Sequence, residues 1–236
     1  MSETRTLQLV STLNADGRLT VELIEKELPA PSGSQVLLRI GAAPINPSDL
    51  GLLFGPADIA NAEFGNGRIV ARMPSAALPA MAARFGQAMP VGNEGAGTVV
   101  AAGSAAEAQA LLGELVSCAP GGGMYAQYCL VDARQCLMLP NGLTAEQGAS
   151  SFVNPMTALA MVETMKREQH KALVHIAAAS NLGQMLVKIC QEDGVPLVNV
   201  VRSAAQQFVE QIQSTVNVAE SVNPQACRQR GALPTN

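Results

Sequence analysis

Up to about Gly142 the chain reads as short runs of apolar and β-branched residues broken repeatedly by Gly and Pro, the pattern of short strands with turns between them. Leu7 to Leu13, Leu19 to Leu28 and Gln35 to Ala43 are the first three predicted strands. Gly97 to Ala102, Leu115 to Ala119, Tyr125 to Val131 and Cys136 to Leu139 follow, with Gly121-Gly122-Gly123 as a flexible turn. The Ala- and Met-rich segment from Pro56 to Pro90 fits this pattern poorly and reads as a loop carrying a short helix around Leu78 to Phe85. Together these elements predict a barrel-like or meandering β domain over residues 1–142.

After Leu143 the period moves toward 3.6, which places a domain boundary there and a second domain over residues 143–236. Asn154-Pro155 opens an apolar helix that runs to about Lys166. Ala172 to Ile176 is a short apolar strand, Leu182 to Asp193 a helix stopped by Gly194, and Leu197 to Val201 a second apolar strand. That order predicts a βαβ unit with a buried parallel pair. A third helix is expected from Ser203 to Val216, and a polar, loose tail beyond Ala219.

Composition narrows the function classes. The chain has 236 residues, 48% of them hydrophobic, which suffices to fill real cores. A net charge of -4 with no basic cluster gives nothing to attract nucleic acid, so a small-molecule partner is expected. No apolar run approaches the roughly 20 residues of a membrane span, and the N-terminus lacks the features of a secretory signal. Five cysteines without a Cys-x-x-Cys pair resemble neither a disulfide framework nor a zinc ribbon, so a reduced, cytoplasmic setting is expected.

Candidate chemistry concentrates where the first strand of the βαβ unit meets its helix. Small residues are needed there if a phosphate is to approach the backbone, and Ala178, Ser180 and Gly183 occupy the spaced positions where glycines usually sit. The start of the helix at Asn181 and Leu182 points free N–H groups and a positive dipole end at the turn. Arg202, followed by Ser203, ends the second strand, where a dinucleotide fold places the group that reads the ribose. An arginine there favours a 2'-phosphate and hence NADPH over NADH; the alternative is a solvated arginine at a strand end. His175, inside the apolar first strand, reads as a hydrogen-bonded core residue.

Ile45-Asn46-Pro47-Ser48-Asp49, Gly92-Asn93-Glu94-Gly95-Ala96-Gly97-Thr98-Val99, Asn154-Pro155-Met156-Thr157-Ala158 and the Ala178 to Gln184 turn followed by Asn199-Val200-Val201-Arg202 occur in this order. With them the sequence resembles the medium-chain dehydrogenase/reductase superfamily, in particular its zinc-free quinone oxidoreductase and trans-2-enoyl reductase branches, over most of Glu22 to Ser203. The resemblance implies an α/β chain whose β-rich N-terminal domain is a GroES-like partial barrel, followed by a Rossmann fold. It also implies hydride transfer from NADPH to a quinone or an α,β-unsaturated carbonyl.

By the same resemblance Asn46 lies near the nicotinamide as a substrate-side amide, and Thr157 contacts the ring or ribose. Asn93 stands where zinc members carry a histidine ligand, and His170 and His175 are the only histidines, so no metal is expected. Glu94 is expected to be structural. The tyrosine that relatives carry shortly after Asp49 is missing, its neighbourhood offering Gly51, Phe54 and Ala57, while Tyr125 and Tyr128 lie elsewhere. The Rossmann fold reads as shortened, which would leave an exposed sheet edge and favour a homodimer. A non-catalytic nucleotide-binding or structural remnant, or a fragment of an interrupted reading frame, are the competing readings.

Overall fold

The computed structural model describes residues 4–201 and the backbone of 215–217. The chain divides into two compact units, Met1–Val153 and Asn154–Asn236. The first begins with three long strands, β1 (Thr4–Leu13), β2 (Arg18–Leu28) and β3 (Gln35–Ala42), and a short helix α1 (Pro47–Leu53) of about two turns. A hairpin of β4 (Asp58–Gly65) and β5 (Arg68–Arg72) follows, then α2 (Leu78–Met81), β6 (Ala88–Pro90) and β7 (Gly95–Ala102). The unit ends with α3 (Ala106–Gln109), β8 (Leu115–Cys118), β9 (Tyr128–Asp132), β10 (Cys136–Met138) and α4 (Ala145–Gly148).

These strands form two five-stranded sheets, ordered β4-β5-β2-β1-β6 and β10-β8-β7-β3-β9. Polar residues of β1 stitch them together. Thr6 Oγ1 donates to the Tyr128 carbonyl at 3.2 Å and accepts from the Tyr128 N–H at 2.9 Å, while Leu9 N–H donates to the Tyr125 carbonyl at 2.8 Å. The result is the partial barrel that the strand series predicts. Its largest core packs Val36, Leu38, Val99, Val116, Cys118 and Met124.

The segment from Pro56 to Pro90 departs from its expected loop. Its short helix is present, but β4 and β5 extend the first sheet through β2. Asn66 and Gly67, both at positive φ (51° and 71°), form the hairpin turn; such a turn matches strand twist, and Asn-Gly tolerates it best. Little alternation betrays these strands, because β4 is mostly exposed on both faces.

The first unit also runs past the change of texture at Gly142. A capping box between Thr144 and Gln147 starts α4, and its small residues Ala145 and Gly148 seat it on β3, β7 and β8. A Cβ at Gly148 would meet the Leu139 side chain at 2.1 Å.

The second unit carries most of α5 (Val153–Arg167), then β11 (Leu173–His175), α6 (Asn181–Glu192), β12 (Leu197–Val201) and β13 (Thr215–Asn217). The three strands are parallel and ordered β11-β12-β13. Leu186 and Cys190 of α6 bury against Ala158 and Val162 of α5, which covers one face of the sheet. Most of the helix predicted from Ser203 to Val216 lies outside the described residues, but Thr215 and Val216 are strand, so its end is corrected. Pairing with β12 and the β-branched Thr215 and Val216 both favour a strand there. On β11 the side chain of Val174 and, just beyond it, that of Ile176 stay 68% and 77% exposed. Among the described residues no helix is long and apolar enough to cross a membrane.

Candidate functional site

In the first unit a buried polar network joins two motifs that lie more than forty residues apart. Asn46 caps α1, Pro47 occupies the first turn where its missing N–H costs nothing, and Asp49 Oδ2 accepts from the Asn46 backbone N–H at 2.8 Å. Asp49 Oδ1 accepts from the Asn93 N–H at 2.9 Å. Next to it Glu94, with no exposed surface, accepts three hydrogen bonds. Asn46 Nδ2 donates to Oε1 at 2.8 Å, and the N–H groups of Phe152 and Val153 donate to Oε2 at 2.9 Å each. A buried carboxyl group needs such partners, and Glu94 is buried and hydrogen-bonded.

Asn46 is itself 4% exposed, and its amide nitrogen is engaged by Glu94. The side chain of Asn93 donates to Ser48 Oγ at 3.1 Å. Among the described residues no group of three or more His, Cys, Asp or Glu is placed to hold a metal ion. Tyr125 enters this neighbourhood from a distant part of the chain, its hydroxyl donating to the Pro44 carbonyl at 2.8 Å. Burial and then the nearby charges of Asp49 and Glu94 raise its pKa, so it stays protonated. Sequence reasoning does not find this residue, because backbone hydrogen bonds of the β8–β9 connection to Leu9 and Val91, and no local motif, bring it there.

The missed hairpin also shapes a cavity of about 340 Å³, lined by Leu9, Val21, Leu23, Leu53, Phe54, Gly65, Gly67, Arg68 and Ile69. Its lining residues are apolar apart from Arg68.

In the second unit Ala178, Ser180, Asn181, Leu182 and Gly183 come together at one turn. Ser180 is the N-cap of α6, and its Oγ accepts from the Gly183 N–H at 3.0 Å. The first-turn N–H groups of Asn181 and Leu182 have no partner within the helix by its geometry. Gly183 is fixed by close approach: a Cβ there would lie 2.4 Å from the Ala178 carbonyl oxygen and 2.6 Å from that of Ala177. Ala178 is buried, while Ser180 and Asn181 are exposed. The turn thus fits a pyrophosphate, offering unanswered N–H groups, a helix dipole and no bulky side chain.

Thr157 lies half-buried on α5 in the same unit. Arg202 and Ser203 lie outside the described residues. His175 hydrogen-bonds to the Ala177 backbone, and burial lowers its pKa. Its Nε2, and Oδ1 of Asn199 on the neighbouring strand, are buried and find no hydrogen-bond partner among the described residues.

Residues 32–141 match the alcohol dehydrogenase GroES-like domain family. A mitochondrial enoyl-[acyl-carrier-protein] reductase of Bos taurus is 28% identical over 199 residues, covering 84% of this chain and 47% of that protein. Over most of its length the chain is thus similar to proteins of the medium-chain dehydrogenase/reductase type. A second similar protein, the mitochondrial enoyl-[acyl-carrier-protein] reductase of Homo sapiens, is 29% identical with the same coverage. A solved structure from Mesorhizobium loti, assigned as an NADPH:quinone reductase, matches with a TM-score of 0.66 at 28% identity, covering 92% of this chain and 61% of that one. The chain spans about half the length of the enoyl reductases it matches. The first unit is the β-rich GroES-like part and the second a partial Rossmann-like sheet.

Proposed function

We propose that this chain is a metal-free oxidoreductase that binds NADPH and serves hydride transfer to a conjugated acceptor, a quinone or an α,β-unsaturated carbonyl. The observation that carries the reading is the α6 turn, where Gly183 lets helix and strand close to within van der Waals limits and leaves the Asn181 and Leu182 N–H groups for a pyrophosphate. The names of the relatives, an NADPH:quinone reductase and enoyl reductases, agree with this class of acceptor.

When bound, NADPH supplies the hydride, and the protein's residues orient and stabilise. Ser180, Asn181, Leu182 and Gly183 hold the pyrophosphate against the buried Ala178, Arg202 and Ser203 read the 2'-phosphate, and Thr157 contacts the nicotinamide ribose. Glu94 fixes the Asn46 amide on the substrate side, as a positioning residue. The apolar cavity beside Phe54 takes the acceptor, with Arg68 at its wall. Conjugated acceptors suit a site without a Lewis acid, because the enolate formed is delocalised and needs only hydrogen-bond stabilisation. The other partner in this reading is a second copy of the chain.

One observation favours a second reading, nucleotide binding without turnover: the polar side chains around Asn46 hydrogen-bond to one another. Calorimetric titration with NADPH and NADH, followed by NADPH oxidation with 9,10-phenanthrenequinone and with a trans-2-enoyl thioester, separates the two. Turnover with either acceptor supports the enzyme. Tight NADPH binding with neither acceptor reduced favours the binder, and no binding at all sinks both.

A further inference from the structure

We propose that Cys118 and Cys136 form a redox-active pair, a modification site at which a hydroperoxide converts two thiols into a cross-strand disulfide. Cys118 on β8 and Cys136 on β10 stand directly opposite each other. The Leu139 N–H donates to the Leu115 carbonyl at 2.9 Å, which makes Leu139 and Leu115 a hydrogen-bonded pair in the same register. Hydrogen-bonded and non-hydrogen-bonded pairs alternate along an antiparallel ladder. Three steps back, Cys136 and Cys118 therefore form a non-hydrogen-bonded pair, where opposite Cα atoms approach to about 4.5 Å and the side chains lie closest. That separation falls inside the range a disulfide spans.

Both side chains belong to the same core, with Cys118 wholly buried and Cys136 partly exposed at its margin. Cys118 touches Met124 Sδ at 3.7 Å, and Cys136 donates to the Asp132 carbonyl at 3.7 Å. The interaction between the two thiols lowers the pKa of Cys136 and, with burial, raises that of Cys118. The roles follow from this asymmetry. Cys136, accessible and more acidic, attacks the peroxide oxygen; an S–O bond forms, the O–O bond breaks, and the alcohol leaves. The thiol of Cys118 then attacks that sulfur, forming S–S and breaking S–O, and its proton departs with the hydroxyl as water. Two thiols are oxidised and one hydroperoxide is reduced to an alcohol and water.

Cys129 packs beside the same core, so the test must separate the three thiols. The reduced full chain is treated with cumene hydroperoxide, blocked with an alkylating agent and digested without reduction by trypsin and chymotrypsin. Cleavage after Tyr125, Tyr128 and Arg134 puts the three cysteines on separate peptides. The expected product is a Cys118–Cys136 linked peptide lighter by two hydrogens, formed equally in Cys129→Ser and absent in Cys136→Ser. Oxidised wild type should melt several degrees higher than reduced wild type. A link through Cys129, or Cys136 driven to sulfinic acid while Cys118 stays alkylatable, overturns the proposal. The wild-type peptide map decides even if a variant fails to fold.

Discussion

The polar network around Glu94 and the turn around Gly183 use the same hydrogen-bonding groups to opposite ends. Around Glu94 the described donors and acceptors answer one another: amide to carboxylate, carboxylate to backbone, tyrosine to carbonyl. At the turn, Ser180 answers the Gly183 N–H, and the preceding Asn181 and Leu182 N–H groups have no partner within the helix. A closed network defines a shape; an open one can take a ligand. Residues of the first region should therefore govern stability, and those of the second should govern affinity for a nucleotide.

The sharpest way to break that contrast is Glu94→Gln. The substitution keeps the shape but sets amide hydrogens against donors, leaving buried groups unpaired at about 3 kcal/mol in total, while NADPH affinity changes little; chemical denaturation and calorimetry read the two effects. Gly183→Ala should differ by also weakening nucleotide binding. Overpacking against the Ala177 and Ala178 carbonyls should cost about 1–3 kcal/mol and weaken NADPH binding at least about tenfold, a factor equal to about 1.4 kcal/mol. A Gly183→Ala protein with wild-type affinity would contradict the pyrophosphate assignment. Ser180→Ala removes the helix cap at about 1 kcal/mol with a smaller loss of affinity.

The mildest effect is electrostatic. Arg134 and Ser34 hold the Asp132 carboxylate well below its ordinary pKa. A depressed acid contributes stability that is present above the unfolded carboxylate range and is lost as the pH falls through the folded value. Thermal melts from neutral to acidic pH should show a slightly steeper decline for wild type than for Asp132→Asn. The difference should shrink in salt, because the pair is at the surface.

Much of this was legible before any coordinates. The paired strands β1, β2, β3 and β7 show in their hydrophobic patterning, and the βαβ unit follows from short apolar runs around a helix with small residues at its start. Glu94 reads in the sequence as buried and hydrogen-bonded, and the structure shows both. The hairpin of β4 and β5 was not read, although Asn66-Gly67 is the local signal for it, because its strands are too exposed to alternate. β13 escaped because three residues, Thr215 to Asn217, are too few for any period and owe their strand state to β12. Tyr125 escaped for a different reason. Its contact with Pro44 spans 81 positions, and only the tertiary pairing of the β8–β9 connection creates it.

The three hydrogen bonds that Glu94 accepts tie together stretches separated by 48, 58 and 59 positions. The N–H groups of Phe152 and Val153, at the very end of the first unit, therefore cannot open by local fraying, as the edge of a unit usually does. Their protons should exchange with solvent only when the β domain as a whole opens. That makes the point where one unit hands over to the next among the slowest-exchanging places in the chain.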